Sequence, residues 1–344
     1  MRAIVYRTTG DPSVLQVVER PVPQLGPGEV LVNLAVSGVN PTDWKSRRGS
    51  KPGDYLPFAE VTPNQDGAGT VEAISAEAAE LNPRLEVGDR VWIFLAQHQR
   101  PTGTAQEYLT VPVERVVVLP DGASFDVGAS LGVPAMTAHR ALTVSEQGPS
   151  RLVPGALTGR TVLVAGGAGA VGHAAIQLAR WAGATVVTTV SSEAKAALAR
   201  SAGAHHVVNY REGDPAAAVL AVAPDGVDIV VEVAPAQNAG LNLAVLANHG
   251  TVAYYADNGG GEVTLPVRDH FARNIRYQGL LLYTVGEDAL AVAAEDITAA
   301  LRDGALGVGE EHGLPLTRFP LEQTADAHTA VEADTVGKVL IDIA

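Results

Sequence analysis

The residues best equipped for chemistry lie in one short run, Val162-Leu163-Val164-Ala165-Gly166-Gly167-Ala168-Gly169-Ala170-Val171-Gly172. It carries G-x-G-x-x-G at Gly167, Gly169 and Gly172, directly after a strand-like stretch and directly before a helix-like one. A side chain at such a turn would block the approach of a pyrophosphate. A helix starting there offers free N–H groups and its positive end to that anion, and the last glycine lets helix and strand pack closely. The expected chemistry is dinucleotide binding, with Gly167, Gly169, Ala170, Val171 and Gly172 as cofactor contacts. A glycine pattern alone also occurs in turns needed only for packing, so the strand and helix around it carry the reading.

In an NAD-binding unit the second strand usually ends on Asp or Glu, which binds the ribose hydroxyls. Here that strand ends Thr188-Thr189-Val190-Ser191-Ser192, and Glu193 comes only after the tip. Small hydroxyl residues leave room for a 2′-phosphate and can donate to it. Lys195, in the first turn of the next helix, is expected to reach the same phosphate, and Tyr210, after the third strand, to close over it. These residues predict NADPH rather than NADH.

The elements that must position these groups follow from periodicity. The first third reads as short strands and Gly/Pro turns: Val30 to Val36, the turn Val87-Gly88-Asp89-Arg90-Val91, Tyr108 to Val111 and Val116 to Leu119. Such a pattern predicts a β-rich barrel or sandwich. Near residue 126 the pattern changes to apolar runs alternating with Ala-rich helices at 170–182, 192–202, 214–223 and 238–247. Fully apolar strands alternating with helices predict a doubly wound parallel sheet, with Gly279 to Tyr283 as an edge run. A helix at 288–302, a strand near Leu314, a helix at 322–333 and a strand Val339 to Ile341 close the chain. This tail is too short for a third domain, so it is expected to complete the first.

The whole chain has 344 residues, enough for two cores, and its 24 basic against 38 acidic residues leave a net charge of -14. An acidic surface repels nucleic acid and anionic membranes, so neither is an expected partner. The absence of cysteine excludes disulfides, thiolate nucleophiles and Cys-ligated metals. With no long apolar run, the expected location is the cytoplasm.

The motifs then resemble a known family. Gly38-Val39-Asn40-Pro41-Thr42-Asp43, Gly103-Thr104-Ala105-Gln106-Glu107-Tyr108, Val133-Pro134-Ala135-Met136-Thr137-Ala138, the glycine loop, and Gly337-Lys338-Val339-Leu340 occur in order from end to end. The chain is similar to the medium-chain dehydrogenase/reductase superfamily, in its zinc-independent quinone oxidoreductase (zeta-crystallin-like) branch. The resemblance implies an α/β protein. A GroES-like catalytic domain (1–125 and 285–344) would enclose a Rossmann NADPH-binding domain (126–284), with the active site in the cleft and a homodimer as the assembly. It also implies that Ser191, Lys195 and Tyr210 hold the 2′-phosphate. By the same resemblance Asn40 and Thr137 would lie beside the nicotinamide as catalytic residues, and Lys338 would contact the cofactor.

Zinc enzymes of this superfamily carry a Cys near the position of Asn40 and a Gly-His-Glu segment. Here the latter stretch is Asn64-Gln65-Asp66-Gly67, with Gln65 in place of histidine. Zinc needs about four N, S or O ligands, and no such set is in view. Without a Lewis acid a simple alcohol is a poor substrate, whereas a quinone or enone spreads the incoming charge. The expected reaction is hydride transfer from NADPH to a quinone or conjugated carbonyl. The alternatives are a 2-alkenal or enoyl reductase and a non-catalytic NADPH-binding structural or sensor protein. Asn40 is a candidate donor to the substrate oxygen or a loop asparagine. Asp43 is expected to hold its loop, Lys45 to reach solvent and His139 to be structural rather than a proton donor. The stretch Ser50 to Phe58 is a candidate substrate wall.

Overall fold

The computed structural model describes residues 1–51 and 53–343, so Pro52, within the candidate substrate wall, lies outside the described residues. The chain divides into two compact units, Met1–Val133 with Leu316–Ala344, and Pro134–Pro315.

The first unit begins with β1 (Arg2–Val5), β2 (Gln16–Glu19) and the eleven-residue β3 (Glu29–Val39), followed by the short helix α1 (Pro41–Arg48). Next come β4 (Asp66–Ile74), α2 (Ala76–Leu81), β5 (Arg90–Ile93), β6 (Tyr108–Pro112) and β7 (Val116–Val118). Helix α3 (Phe125–Leu142) contains Pro134, and the division between the units falls at that residue. Proline lacks the N–H that would continue the helical ladder.

The second unit alternates strand and helix: β8 (Thr161–Ala165), α4 (Ala170–Trp181), β9 (Thr185–Val190), α5 (Glu193–Ser201), β10 (His206–Asn209), α6 (Pro215–Val222), β11 (Val227–Glu232), α7 (Pro235–Val245) and β12 (Leu246–Tyr254). The short α8 (Val267–Phe271), β13 (Arg276–Gly279) and α9 (Glu287–Arg302) follow. The six strands are all parallel, in the order β10-β9-β8-β11-β12-β13. Their side chains are apolar on both faces because helices cover both; Leu163, Val187, Val208, Val230 and Val252 form one such core. The starts of α6 and α5 are set by side-chain caps. Asp214 accepts from the N–H groups of Ala216 and Ala217 at 2.9 and 3.2 Å, and Ser192 from Lys195 at 3.3 Å.

The chain then returns to the first unit through β14 (Leu316–Pro320), α10 (Thr324–Glu332) and β15 (Lys338–Asp342). These join a seven-stranded sheet ordered β14-β15-β3-β4-β5-β7, with β6 also on β3. The return starts later than the sequence predicts. Residues 285–315 belong to the second unit, because α9 buries Leu290, Ala293, Ile297 and Leu301 and its Asp296 is bonded within that unit. Residues 126–133 belong to the first unit. The last strand of the parallel sheet is Arg276–Gly279, reaching only the first residue of the Gly279 to Tyr283 run expected there, and the strand expected near Leu314 is β14, which begins at Leu316. Among the described residues no helix is long and apolar enough to cross a membrane.

Candidate cofactor and active site

In an open parallel sheet the ligand crevice lies outside the carboxyl ends of the strands, where the strand order reverses. Here that point is β8, flanked by β9 on one side and β11 on the other. The glycine run leaves β8 at this end. Gly166 adopts φ 69°, a left-handed turn that favours glycine, and its N–H donates to Thr189 C=O at 3.0 Å. The turn therefore falls one residue before the first glycine of the motif.

The three motif glycines do different work. A Cβ on Gly167 would lie 2.2 Å from Thr188 Oγ1 and 2.8 Å from Ile176 Cδ1, and one on Gly172 would lie 2.4 Å from Gly166 O. Both are needed for strand, loop and helix to pack. A Cβ on Gly169 would meet nothing nearer than Gly166 O at 3.4 Å, an ordinary contact. The protein does not itself require glycine there, so the space is open to a ligand. Gly169 is also the N-cap of α4 and has no side chain to cap it. The N–H groups of Ala170, Val171 and Gly172 open the helix, where donors lack intrahelical partners.

The neighbouring strand ends align with this loop. Ala165 of β8 sits beside Thr189 of β9, and Val190 of β9 beside Asn209 of β10. Ser191 therefore leaves the tip of β9 and Tyr210 the tip of β10, with the Tyr210 N–H donating to Val190 C=O at 3.0 Å. Lys195 lies in the first turn of α5, and its ammonium takes no ion pair among the described residues. Glu193, the acid nearest the tip, is paired with Arg200 at 2.6 Å. The structure thus gathers the loop, Ser191, Lys195 and Tyr210 along one edge of one sheet. Thr137 sits apart from that edge in sequence, buried on α3.

The remaining candidates belong to the first unit, where β15, β3 and β4 lie side by side. Val339 pairs with Val39, and Gly38 with Asp66, which brings Lys338, Asn40 and Asp66 to adjacent strand ends. Lys338 Nζ donates to Asn40 Oδ1 at 2.6 Å, and Asn40 Nδ2 donates to Asp66 Oδ2 at 2.7 Å. Asp66 also accepts from the Val133 N–H at 2.9 Å. Asp43 accepts from the N–H groups of Asn40 (2.7 Å) and Gln65 (3.1 Å), so it holds the loop. Lys338 and Asn40 are each 2% exposed and Asp66 is 0% exposed, so these charges are paired away from water. Burial, then the neighbouring Asp66, pushes Asp43 up to about 8. Burial raises Asp66 to about 6 against the pull of Lys338, the Asn40 amide and the Val133 N–H, and burial draws Lys338 below its ordinary value.

Two candidates have plainer duties. His139 donates to buried Asp296 at 2.9 Å; Asp296 also holds Arg151 and the Leu152 N–H, which ties α3, the following loop and α9 within the second unit. Lys45 is exposed, 5.9 Å over the Trp44 ring. Asp66 was missed as a functional candidate in the sequence. The available signal was a carboxylate opening an otherwise small and apolar strand, Gly67-Ala68-Gly69.

Residues 26–121 match the family described as alcohol dehydrogenase GroES-like domain, and residues 170–299 the one described as zinc-binding dehydrogenase. The chain is 31% identical to the mouse quinone oxidoreductase over 336 residues, 95% of this chain and 93% of the mouse protein. The chain belongs to the quinone oxidoreductase branch of the medium-chain dehydrogenase/reductase superfamily. A mycobacterial structure complexed with NADPH resembles it with a TM-score of 0.80 and 30% identity over 99% of this chain and 100% of that one. An NAD-dependent alcohol dehydrogenase structure resembles it with a TM-score of 0.83 and 28% identity over the full length of both.

Zinc, which one of these family descriptions names, does not fit the residues of this member of the superfamily. Gln65 exchanges hydrogen bonds with Gln97 at 3.1 and 3.2 Å, Asp66 is committed to Asn40, and cysteine is absent. Among the described residues no three His, Cys, Asp or Glu side chains converge on a point.

Proposed function

We propose that this protein is an NADPH-dependent quinone oxidoreductase acting on a quinone or related conjugated carbonyl compound. The observation that carries the reading is the carboxyl edge of the parallel sheet: an uncapped helix start at Gly169, and beside it Ser191 and Lys195 where an NAD enzyme would offer an acid. The first-turn N–H groups of Ala170, Val171 and Gly172 bind the pyrophosphate. Ser191 and Lys195 bind the 2′-phosphate, and Tyr210, half-exposed at the tip of β10, covers it. Glu193, tied to Arg200, does not compete for the ribose. The mouse relative is named a quinone oxidoreductase, and a structural relative was solved with NADPH, in line with both halves of the reading.

Bound NADPH supplies a hydride, and a quinone accepts it without a metal because conjugation spreads the arriving charge. Asn40 offers an amide N–H to the oxygen that gains charge, and Thr137 lines the nicotinamide side. The protein's contribution is alignment and exclusion of water. A homodimer and a cytoplasmic location belong to the same reading. β13 is the outer strand of its sheet, and the nearby Val267, Phe271 and Leu281 are exposed, which suits pairing with a second copy.

A steady-state panel tests the proposal: NADPH with benzoquinone, an ortho-quinone and 2-alkenals, and NADP⁺ with simple alcohols, each with and without chelator. Quinone-dependent NADPH oxidation, indifferent to chelator and absent with alcohols, is expected. A preference for 2-alkenals would shift the substrate class, and silence throughout with NADPH bound would support a non-catalytic protein.

A further inference from the structure

We propose that Lys338 and Asp66 are positioning residues that set the amide of Asn40, leaving one Nδ2 hydrogen as a directed donor to the oxygen being reduced. This rests on the proposed function, in which Asn40 meets the substrate. It also moves Lys338 from contacting the cofactor to holding the residue that meets the substrate.

The chemistry of the partners decides how the amide faces. A lysine ammonium can only donate, so the Asn40 atom 2.6 Å from Lys338 Nζ must be the carbonyl oxygen. An ionised carboxylate can only accept, so the atom 2.7 Å from Asp66 Oδ2 must be the NH₂ nitrogen. The two contacts agree, and a flipped amide would break both. One Nδ2 hydrogen is thereby spent on Asp66, and the other takes no acceptor among the described residues.

The two holders are themselves held. Val133, whose helical ladder is interrupted by Pro134, gives its N–H to both Asp66 oxygens at 3.0 and 2.9 Å. Gly132 makes that approach possible, since a Cβ there would lie 2.0 Å from Asp66 Oδ1. Gly38 does the same for the lysine: its Cβ would lie 3.1 Å from Lys338 Cε and 2.0 Å from Ala129 O. The Asn40 backbone is anchored separately, by Asp43 at 2.7 Å. Lys338 Nζ lies 4.0 Å from Asp66 Oδ2, so the two charges also balance each other. An oriented donor in a dry site is the arrangement that favours developing negative charge.

The test compares Lys338→Met, Asp66→Asn, Asn40→Ala and the double variant Asn40→Ala/Lys338→Met by kcat, quinone KM, NADPH Kd from fluorescence and melting temperature. Lys338→Met is expected to lower kcat roughly ten- to a hundredfold, the scale of losing an oriented donor. NADPH Kd should stay within about twofold, and the double variant should be no slower than Asn40→Ala beyond about twofold. Asp66→Asn keeps the shape and should lower kcat likewise, which covers a failure of Lys338→Met to fold. Weakened NADPH binding with kcat intact would return Lys338 to the cofactor and overturn the inference. Multiplying effects in the double variant would overturn it as well. An undiminished Asn40→Ala would sink it while leaving the quinone reductase reading standing. A wild-type enzyme without turnover would sink both.

Discussion

Replacing Lys195 by alanine separates the two nicotinamide cofactors. Lys195 stands in the first turn of α5, without an ion-pair partner among the described residues, while Glu193, two residues before it, is paired with Arg200 at 2.6 Å. The ammonium is therefore available to a 2′-phosphate. A hydrogen bond between charged groups contributes about 1.5–3 kcal/mol net. Because Lys195 is only half-buried, the lower half of that range applies, and about 1.4 kcal/mol is tenfold in affinity. Lys195→Ala should therefore weaken NADPH roughly ten- to fortyfold. NADH has no 2′-phosphate and should bind as before. Fluorescence titrations of both cofactors at two salt concentrations read this directly, and the NADPH advantage should shrink with added salt. Equal weakening of both cofactors, or of neither, would refute the assignment of Lys195 to the phosphate.

The glycines of the loop should fail in different ways. Gly167→Ala forces a Cβ to 2.2 Å from Thr188 Oγ1, so overpacking should cost about 1–3 kcal/mol in thermal melts, whereas Gly169→Ala should fold normally and lose cofactor affinity. His139→Ala should lower the melting temperature by roughly 2–6 °C, since Asp296 keeps Arg151 and the Leu152 N–H, with kcat of the folded protein unchanged. Lost turnover in a normally folded His139→Ala would make that histidine a proton donor after all. Protonating Asp66 would weaken it as an acceptor and add a donor beside Asn40, and burial holds it at about 6, so kcat should decline as pH falls through about 6. Asp43 and Asp66 both bind protons more tightly folded than unfolded. Their contribution to stability is thus greatest below the ordinary 3.8 and declines as pH rises toward about 8 for Asp43 and about 6 for Asp66. A flat kcat profile between pH 5 and 7 would contradict the role of Asp66; the window brackets its value of about 6.

Much of the second unit was legible because local and global signals agree there. Apolar strands of Val and Ile, Ala-rich helices and the glycine run each point to a parallel sheet with its ligand edge at β8. The residues proposed to hold the 2′-phosphate, Ser191 and Lys195, come from counting along one strand and one helix turn. Lys338, Asn40 and Asp66 were harder to join. They are separated by 26 and 298 residues from Asn40, and only the register of β15, β3 and β4 brings them together. No periodicity within any one segment encodes that pairing. Helix α9 misled for a related reason. Its amphipathic pattern shows that one face is buried, but not against which sheet, and the Asp296 contacts with His139 and Arg151 decide it.

The most direct measurement is a crystal structure of the protein soaked with NADPH. The pyrophosphate should lie on the N–H groups of Ala170, Val171 and Gly172, with the 2′-phosphate against Ser191 and Lys195. An adenosine half seated away from the carboxyl edge of β8 and β9, or a 2′-phosphate pointing to solvent with Lys195 unengaged, would contradict the account.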